Sequence, residues 1–136
     1  AVLGVKLPHL ADWNEARRSR PAIYDECLAN VPGIVTPYCE PQNKHVYHLY
    51  VIRVTDGRRD ALQAYLQEKG VANGLHYPIP VHLQEAYPDL PYEKGDFPVT
   101  EELAEQGLSL PMFAELTDGQ VVFVSETIRD FMSNGQ

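Results

Sequence analysis

Two histidines and two tyrosines surround a Pro-Ile-Pro segment in residues 74–87, which read Gly-Leu-His-Tyr-Pro-Ile-Pro-Val-His-Leu-Gln-Glu-Ala-Tyr. His76 and Tyr77 stand directly before Pro78. A residue that precedes proline is restricted to extended backbone, and the proline fixes its own φ, so both rings are held on a stiff backbone. An imidazole and a phenol donate and accept hydrogen bonds, and rigid placement of such groups is what a ligand site requires. This stretch is therefore the first candidate for a binding site.

Two roles stay open for the pair when only the residues are considered. His76 and Tyr77 are consecutive, so we expect their side chains to diverge, one towards a cleft and the other towards the core. The pair either contacts a ligand or simply ties the proline turn together. We expect His82 to cap or pack a short helix that it opens. Tyr87 and Tyr92 are expected to pack the loop.

The remaining candidates favour structural roles. His45 and His48 lie on opposite faces of a predicted strand, and a metal site needs three or four convergent ligands, so no metal site is predicted. We expect His48 to be a hydrogen-bonded core or interface residue. Arg53 is expected to pair with Asp56 or Asp60, although a guanidinium also suits a phosphate. No glycine-rich phosphate loop, nucleophile elbow or Cys-x-x-Cys motif occurs in the sequence.

Composition excludes several classes of protein. A length of 136 residues fits one domain, and the net charge of −8 argues against binding to nucleic acid. The sequence has no run of 18 apolar residues, so no membrane span is predicted. Cys27 and Cys39 are too few for a disulfide framework, and we expect two free thiols in a reducing cytoplasm. The chain begins without methionine inside a predicted helix, so we expect it to be a piece of a larger protein.

Regular elements must position these residues, and hydrophobic periodicity predicts seven of them. The strand over residues 46–54 is β-branched, aromatic and apolar on nearly both faces, which is typical of a central strand covered on both sides. The other predicted elements are helices over 12–30 and 57–69, a strand over 71–77, a helix opened by Asp96-Phe97-Pro98, a strand over 108–110 and a final helix from Thr117. Three strands and several helices predict a small α/β (α+β) domain with helices packed on a three-stranded sheet.

Four local signals refine these elements. Pro21 removes a backbone donor and should bend the first helix or split it in two. The basic run over residues 17–20 is expected to form a solvated face. Asp56 is expected to cap the second helix, and Thr117 with Gln120 has the spacing of a capping box.

Several segments together resemble the C-terminal part of the DegT/DnrJ/StrS sugar aminotransferases. The resemblance covers essentially the whole chain, with the segments in the order and spacing of the family. They are Ala1-Val2-Leu3-Gly4-Val5-Lys6-Leu7, Trp13-Asn14-Glu15-Ala16-Arg17-Arg18, His45-Val46-Tyr47-His48-Leu49-Tyr50-Val51-Ile52-Arg53, His76-Tyr77-Pro78 to Tyr87, Gly95-Asp96-Phe97-Pro98-Val99-Thr100-Glu101, Leu108-Ser109-Leu110-Pro111-Met112-Phe113 and Leu116-Thr117.

The resemblance implies a fold and a division of labour. It implies the C-terminal small domain of a fold type I transferase of the aspartate aminotransferase superfamily, which depends on pyridoxal 5′-phosphate. Residues 1–30 would belong to the inter-domain linking helix and residues 31–136 to the small domain. The large domain, absent from this chain, would supply the Schiff-base lysine and most contacts to the cofactor. The resemblance implies that His76 and Tyr77 bind substrate. It implies no catalytic or cofactor-binding residue here and no covalently bound cofactor.

The implied activity is transfer of an amino group, usually from glutamate, to a nucleotide-linked keto-sugar in the cytoplasm. A stand-alone, non-catalytic module that binds a ligand or partner is the alternative. A small domain separated from its large partner exposes surface meant for an interface. We therefore expect a homodimer or other self-association, mediated in part by four apolar residues near the N-terminus, Leu3, Val5, Leu7 and Leu10.

Overall fold

The computed structural model describes residues 2–134. Ala1, at the start of the predicted linking helix, and Gly135 and Gln136, at the end of the predicted small domain, lie outside the described residues. Six helices and three strands follow one another along the chain. They are α1 (Val2–Lys6), α2 (Leu10–Arg18), α3 (Pro21–Leu28), β1 (Ile34–Val35), β2 (Tyr50–Val54), α4 (Arg59–Glu68), α5 (Pro98–Gln106), β3 (Gly107–Leu110) and α6 (Asp118–Ser133). Short 3₁₀ turns occupy Leu7–His9 and Val81–Leu83.

The sheet is antiparallel, with β2 in the centre and β1 and β3 on its two sides. The predicted central strand is confirmed, but it begins at Tyr50 rather than Val46. Its burial alternates, because Tyr50, Ile52 and Val54 are fully buried whereas Val51 and Arg53 are half-buried. The predicted cover on both sides is therefore complete on one face and only partial on the other.

The predicted strand over residues 71–77 is wrong. Only Gly74 pairs with the sheet there, in an isolated antiparallel bridge to Ser109. A glycine inside the run and prolines directly after it interrupt a ladder of hydrogen bonds. The third strand is Ile34–Val35 instead, which pairs with Arg53 and Val54.

The core lies between one face of the sheet and three helices. Helix α6 packs against α3 and α4. Tyr24 of α3 stacks on Tyr50 of β2 with ring centroids 4.7 Å apart, and burial raises the pKa of both phenols above its ordinary value. The Tyr50 hydroxyl donates to Asp25, which satisfies a polar group that would otherwise be buried without a partner.

The predicted helix over residues 12–30 is split at Pro21, as its missing N–H requires. Helix α2 ends at Arg18, and α3 begins with Pro21 in its first turn. The expectation of a solvated basic face at this junction is wrong. Arg20 donates from Nε to the carbonyl of Leu116 over 2.5 Å and forms an ion pair with Asp118. The junction is thereby attached to the start of α6.

Helix caps follow one prediction and overturn another. Thr117 and Gln120 form the predicted capping box at α6. Asp56 does not cap α4, which begins at Arg59 after an Arg58 without a side-chain cap. The Asp56 carboxylate accepts from the Arg58 backbone and side chain instead. Asp56 lies two residues before the N-cap position of α4, so its carboxylate stabilises the turn that precedes the helix.

Helices α1 and α2 contain no buried residue, whereas α3 buries Tyr24 and Leu28 in the core. Leu3, Val5 and Leu7 are each more than two-thirds exposed.

Among the described residues, no helix is long and apolar enough to cross a membrane. The division of the chain at residue 30 stays a prediction.

Candidate functional site

A groove of about 230 Å³ lies between the segment after Gly74 and helix α5. His76 and Tyr77 both line it, with ring centroids 5.6 Å apart. The expectation that one ring turns to the core is therefore wrong. Both side chains are exposed, Tyr77 to 75%. The two groups singled out from the sequence are presented together to anything that enters the groove.

Contacts with strand β3 hold the His76 ring in place. Gly74 and Ser109 exchange two backbone hydrogen bonds of 3.2 and 2.8 Å, which places the chain beside the strand. The buried Ser109 hydroxyl then lies 2.8 Å from His76 Nδ1. Because Nδ1 is engaged there, Nε2 on the opposite edge of the imidazole is the atom left for a ligand.

Gly74 lies close against the His76 ring. A Cβ atom at position 74 would lie 2.9 Å from Cε1 of His76, closer than carbon atoms approach without displacement. A larger residue would displace either the imidazole or the backbone bridge between positions 74 and 109. The small size of the glycine therefore leaves room for the histidine ring beside Ser109.

The walls of the groove are mainly apolar. Thr100 of α5 adds a hydroxyl, and the other lining residues are Ile79, Pro80, Val81, Leu103 and Ala104. An apolar surface with a few placed hydrogen-bonding groups is typical of a small-molecule site. Imidazole, phenol and hydroxyl groups suit the hydroxyls and ring oxygen of a sugar.

A mostly shielded polar pair lies next to the groove, between the 3₁₀ turn Val81–Leu83 and helix α5. His82 Nε2 lies 3.0 Å from Glu101 Oε1, and the two side chains are 7% and 15% exposed. The Gly95 N–H donates to both carboxylate oxygens at 2.8 and 3.1 Å. The Gly95 N–H, together with His82, holds the pKa of Glu101 below its ordinary value. Of the two roles predicted for His82, capping is wrong, because its side chain makes no cap hydrogen bond. Packing is confirmed, because the imidazole meets the Phe97 ring edge-on.

Other candidates lie away from this groove. His48 is exposed, so its predicted place in the core is wrong, whereas a place at an interface stays a prediction. Arg53 pairs with Glu102 over 3.1 Å rather than with Asp56 or Asp60, since α5 covers that end of β2. Among residues 2–134, no group of three or more metal-ligating side chains converges.

Two residues that hold the site were missed by the sequence analysis. Ser109 is the one polar residue of a Leu-Ser-Leu strand, and that interruption was an available signal. Glu101 is assigned no role of its own in the sequence analysis. Its partners are 6 and 19 residues earlier, and no periodicity indicates such contacts.

The groove does not carry the group that would anchor a pyridoxal cofactor. None of the four lysines of the chain lines it. Lys44 pairs with Glu15, and Lys69 lies over the ring of Tyr65. Among the described side chains, the lining of this groove therefore contains no amino group that could form a Schiff base.

Solved aminotransferases share this fold. The crystal structure of DesV from S. venezuelae, in complex with a ketimine intermediate, superposes with a TM-score of 0.89 at 37% identity, covering 96% of this chain and 35% of that one. A DegT/DnrJ/EryC1/StrS aminotransferase from Brucella abortus gives a TM-score of 0.86 at 34% identity, over 99% of this chain and 35% of that one. The architecture is that of an aminotransferase domain.

The sequence assigns the family. The chain belongs to the DegT/DnrJ/EryC1/StrS aminotransferase family, whose sequence profile matches residues 1–129. It is 44% identical to a Geobacillus stearothermophilus "pleiotropic regulatory protein", over 96% of this chain and 35% of that protein. It is 38% identical to dTDP-3-amino-3,4,6-trideoxy-alpha-D-glucose transaminase of Streptomyces venezuelae, over 96% of this chain and 34% of that protein. The chain thus spans about a third of the length of these relatives.

Proposed function

We propose that this chain is the C-terminal small domain of an aminotransferase that moves an amino group, with glutamate as the donor, to a nucleotide-linked keto-sugar. Membership of the family supports the reaction class. Relatives at 35–38% identity are transaminases of dTDP-linked and UDP-linked sugars, which supports the substrate class. In this proposal residues 1–30 contribute to the helix that links the two domains.

The observation that carries the proposal is the joint exposure of His76 and Tyr77 in one groove. We assign both residues to the sugar end of the substrate. His76 Nε2 and the Tyr77 hydroxyl bind sugar hydroxyls, and the apolar wall excludes water from the other face of the ring. Because the His76 ring is held by Ser109 before substrate arrives, it loses little freedom on binding.

The remainder of the full-length protein holds the cofactor. Pyridoxal 5′-phosphate, when bound, supplies the electron sink that transamination needs. This domain orients the sugar towards it and shields it from water. The whole enzyme acts in the cytoplasm as a homodimer, and the exposed leucines of α1 and the turn after it contribute to the subunit contacts.

Steady-state kinetics of the full-length protein test this function. Glutamate and a set of dTDP-linked and UDP-linked keto-sugars serve as substrates, and formation of 2-oxoglutarate is measured. We expect transamination of at least one keto-sugar, and we expect His76→Ala and Tyr77→Phe to raise its KM. Absence of transamination with every keto-sugar, or unchanged KM in both variants, would overturn the proposal.

One observation favours the non-catalytic alternative. The Geobacillus stearothermophilus relative is named a pleiotropic regulatory protein. A binding module would retain affinity for a sugar nucleotide without turnover. Borohydride reduction of the full-length protein with pyridoxal phosphate separates the two functions, because an enzyme becomes labelled at one lysine outside this chain and a module does not.

A further inference from the structure

Residues 77–97, here called the site loop, connect the His76 corner to helix α5. The loop has one 3₁₀ turn, Val81–Leu83, and no other regular element. A connection of this length without its own secondary structure is uncommon in a small domain unless it serves function. Its first residue, Tyr77, lines the groove, so whatever fixes the loop also fixes that wall.

The Glu101 carboxylate contacts both halves of the site loop. In the first half, His82 Nε2 lies 3.0 Å from Oε1. In the second half, the Gly95 N–H donates to the same carboxylate at 2.8 and 3.1 Å. Glu101 lies in the first turn of α5, and its own N–H donates to the Phe97 carbonyl over 3.0 Å. One carboxylate thereby ties two distant loop positions to one turn of helix.

Aromatic rings pack next to the hydrogen bond between His82 and Glu101. The Phe97 ring meets the His82 ring edge-on at 4.8 Å and the Tyr92 ring edge-on at 4.9 Å. The His82 and Glu101 side chains are nearly buried, so water competes poorly for their hydrogen bond. Removing the carboxylate would leave the Gly95 N–H and a buried imidazole without their partner.

The same turn of helix also forms the groove. Thr100 immediately precedes Glu101, and Leu103 and Ala104 follow it. All three line the groove together with Tyr77. We propose that Glu101 is a positioning residue, which fixes the site loop against α5 and so sets the distance between Tyr77 and the α5 wall. The inference rests on the proposed function, since the groove must bind the sugar end of the substrate. Glu101 itself does not line the groove.

Hydrogen–deuterium exchange of the full-length protein tests the structural step. Glu101→Ala should accelerate exchange at least tenfold in peptides that cover residues 79–97, and Glu101→Gln should accelerate it less, because an amide retains one acceptor. Glu105→Ala is the matched control, since this exposed glutamate lies one turn further along α5. Equal exchange in Glu101→Ala and the control would overturn the proposal.

Ligand affinity tests the functional step. With dTDP-glucose and UDP-N-acetylglucosamine as calorimetric probes, Glu101→Ala should raise the Kd at least fivefold for the probe that binds, and Glu105→Ala should leave it unchanged. In the transamination assay, KM for the keto-sugar should rise while KM for glutamate and kcat stay within twofold. A looser fold alone would lower kcat and the yield of active protein instead, and that pattern would overturn the proposal.

The Tyr77→Phe variant separates failure of this inference from failure of the proposed function. If Tyr77→Phe weakens sugar binding and Glu101→Ala does not, the groove binds substrate and the positioning role is wrong. If neither probe binds and no keto-sugar is turned over, the proposed function is wrong, and the positioning role for substrate falls with it.

Discussion

The hydroxyl of Ser109 and Nδ1 of His76 lie 2.8 Å apart although 33 residues separate them in sequence. The serine is buried in β3. Its backbone N–H and carbonyl also form hydrogen bonds with the carbonyl and N–H of Gly74. A rigid strand therefore sets the orientation of an exposed imidazole. Sites built on strands hold their geometry more tightly than sites built on loops alone.

Replacing Ser109 with alanine should misorient His76 without removing it. We expect the free energy of unfolding to fall by about 1 kcal/mol, the usual contribution of one hydrogen bond, and KM for the sugar substrate to rise. Urea denaturation and steady-state kinetics measure the two effects. Ser19→Ala is the control, because that exposed hydroxyl donates only to the Ala16 carbonyl in the last turn of α2. Full substrate affinity in Ser109→Ala would contradict the role of this hydrogen bond.

Gly74→Ala should displace the His76 ring by steric contact. The added Cβ atom would lie 2.9 Å from Cε1, so either the ring or the Gly74–Ser109 bridge must move. We expect Gly74→Ala to lower the free energy of unfolding of the wild-type protein. The loss should be much smaller in a His76→Ala background, which lacks the imidazole ring. A double-mutant cycle of unfolding free energies measures this coupling. Additive effects would mean that the alanine is accommodated without touching the histidine.

Sequence patterns predicted the elements better than the site. Strong periodicity and cap residues located β2, β3, α5 and α6, because local preferences and tertiary packing agree there. The segment 71–77 was predicted as a strand because its apolar residues resemble one. Only the pairing with Ser109 decides that a single bridge forms. Side-chain contacts across long sequence separations, such as that between His82 and Glu101, have no periodic signal from which to infer them.

The capping box at α6 should contribute measurably to stability. The Thr117 side chain accepts from the Gln120 N–H, and the Gln120 side chain accepts from the Thr117 N–H. We expect Thr117→Ala to reduce the free energy of unfolding by about 1 kcal/mol, whereas Thr117→Ser should preserve it. Urea denaturation of the 136-residue chain measures both. Equal loss in the serine variant would assign the effect to the threonine methyl group instead.

The Gly95 amide should report the ionisation of Glu101. Its hydrogen bonds are stronger to the carboxylate than to the protonated carboxyl, and together with His82 they hold the pKa of Glu101 below its ordinary value of 4.5. The stabilisation is therefore complete above pH 4.5 and is lost as pH falls through the lowered pKa of the folded chain. We expect the Gly95 amide resonance in NMR spectra to titrate with a midpoint below 4.5. Glu101→Gln should abolish that titration, and its persistence would show that the change does not come from Glu101.

Self-association should depend on the exposed leucines near the N-terminus. Leu3, Leu7 and Leu10 line one apolar surface with Trp13, at spacings that place them on the same side of a helix. Water contact with this surface is unfavourable, so burying it between two copies stabilises a dimer. We expect sedimentation velocity to give a dimer for the chain and a monomer for a Leu3→Gln/Leu7→Gln variant. Phe123→Gln on α6 removes a comparably exposed apolar group and should leave the dimer intact; a monomeric Phe123→Gln variant would move the interface to α6.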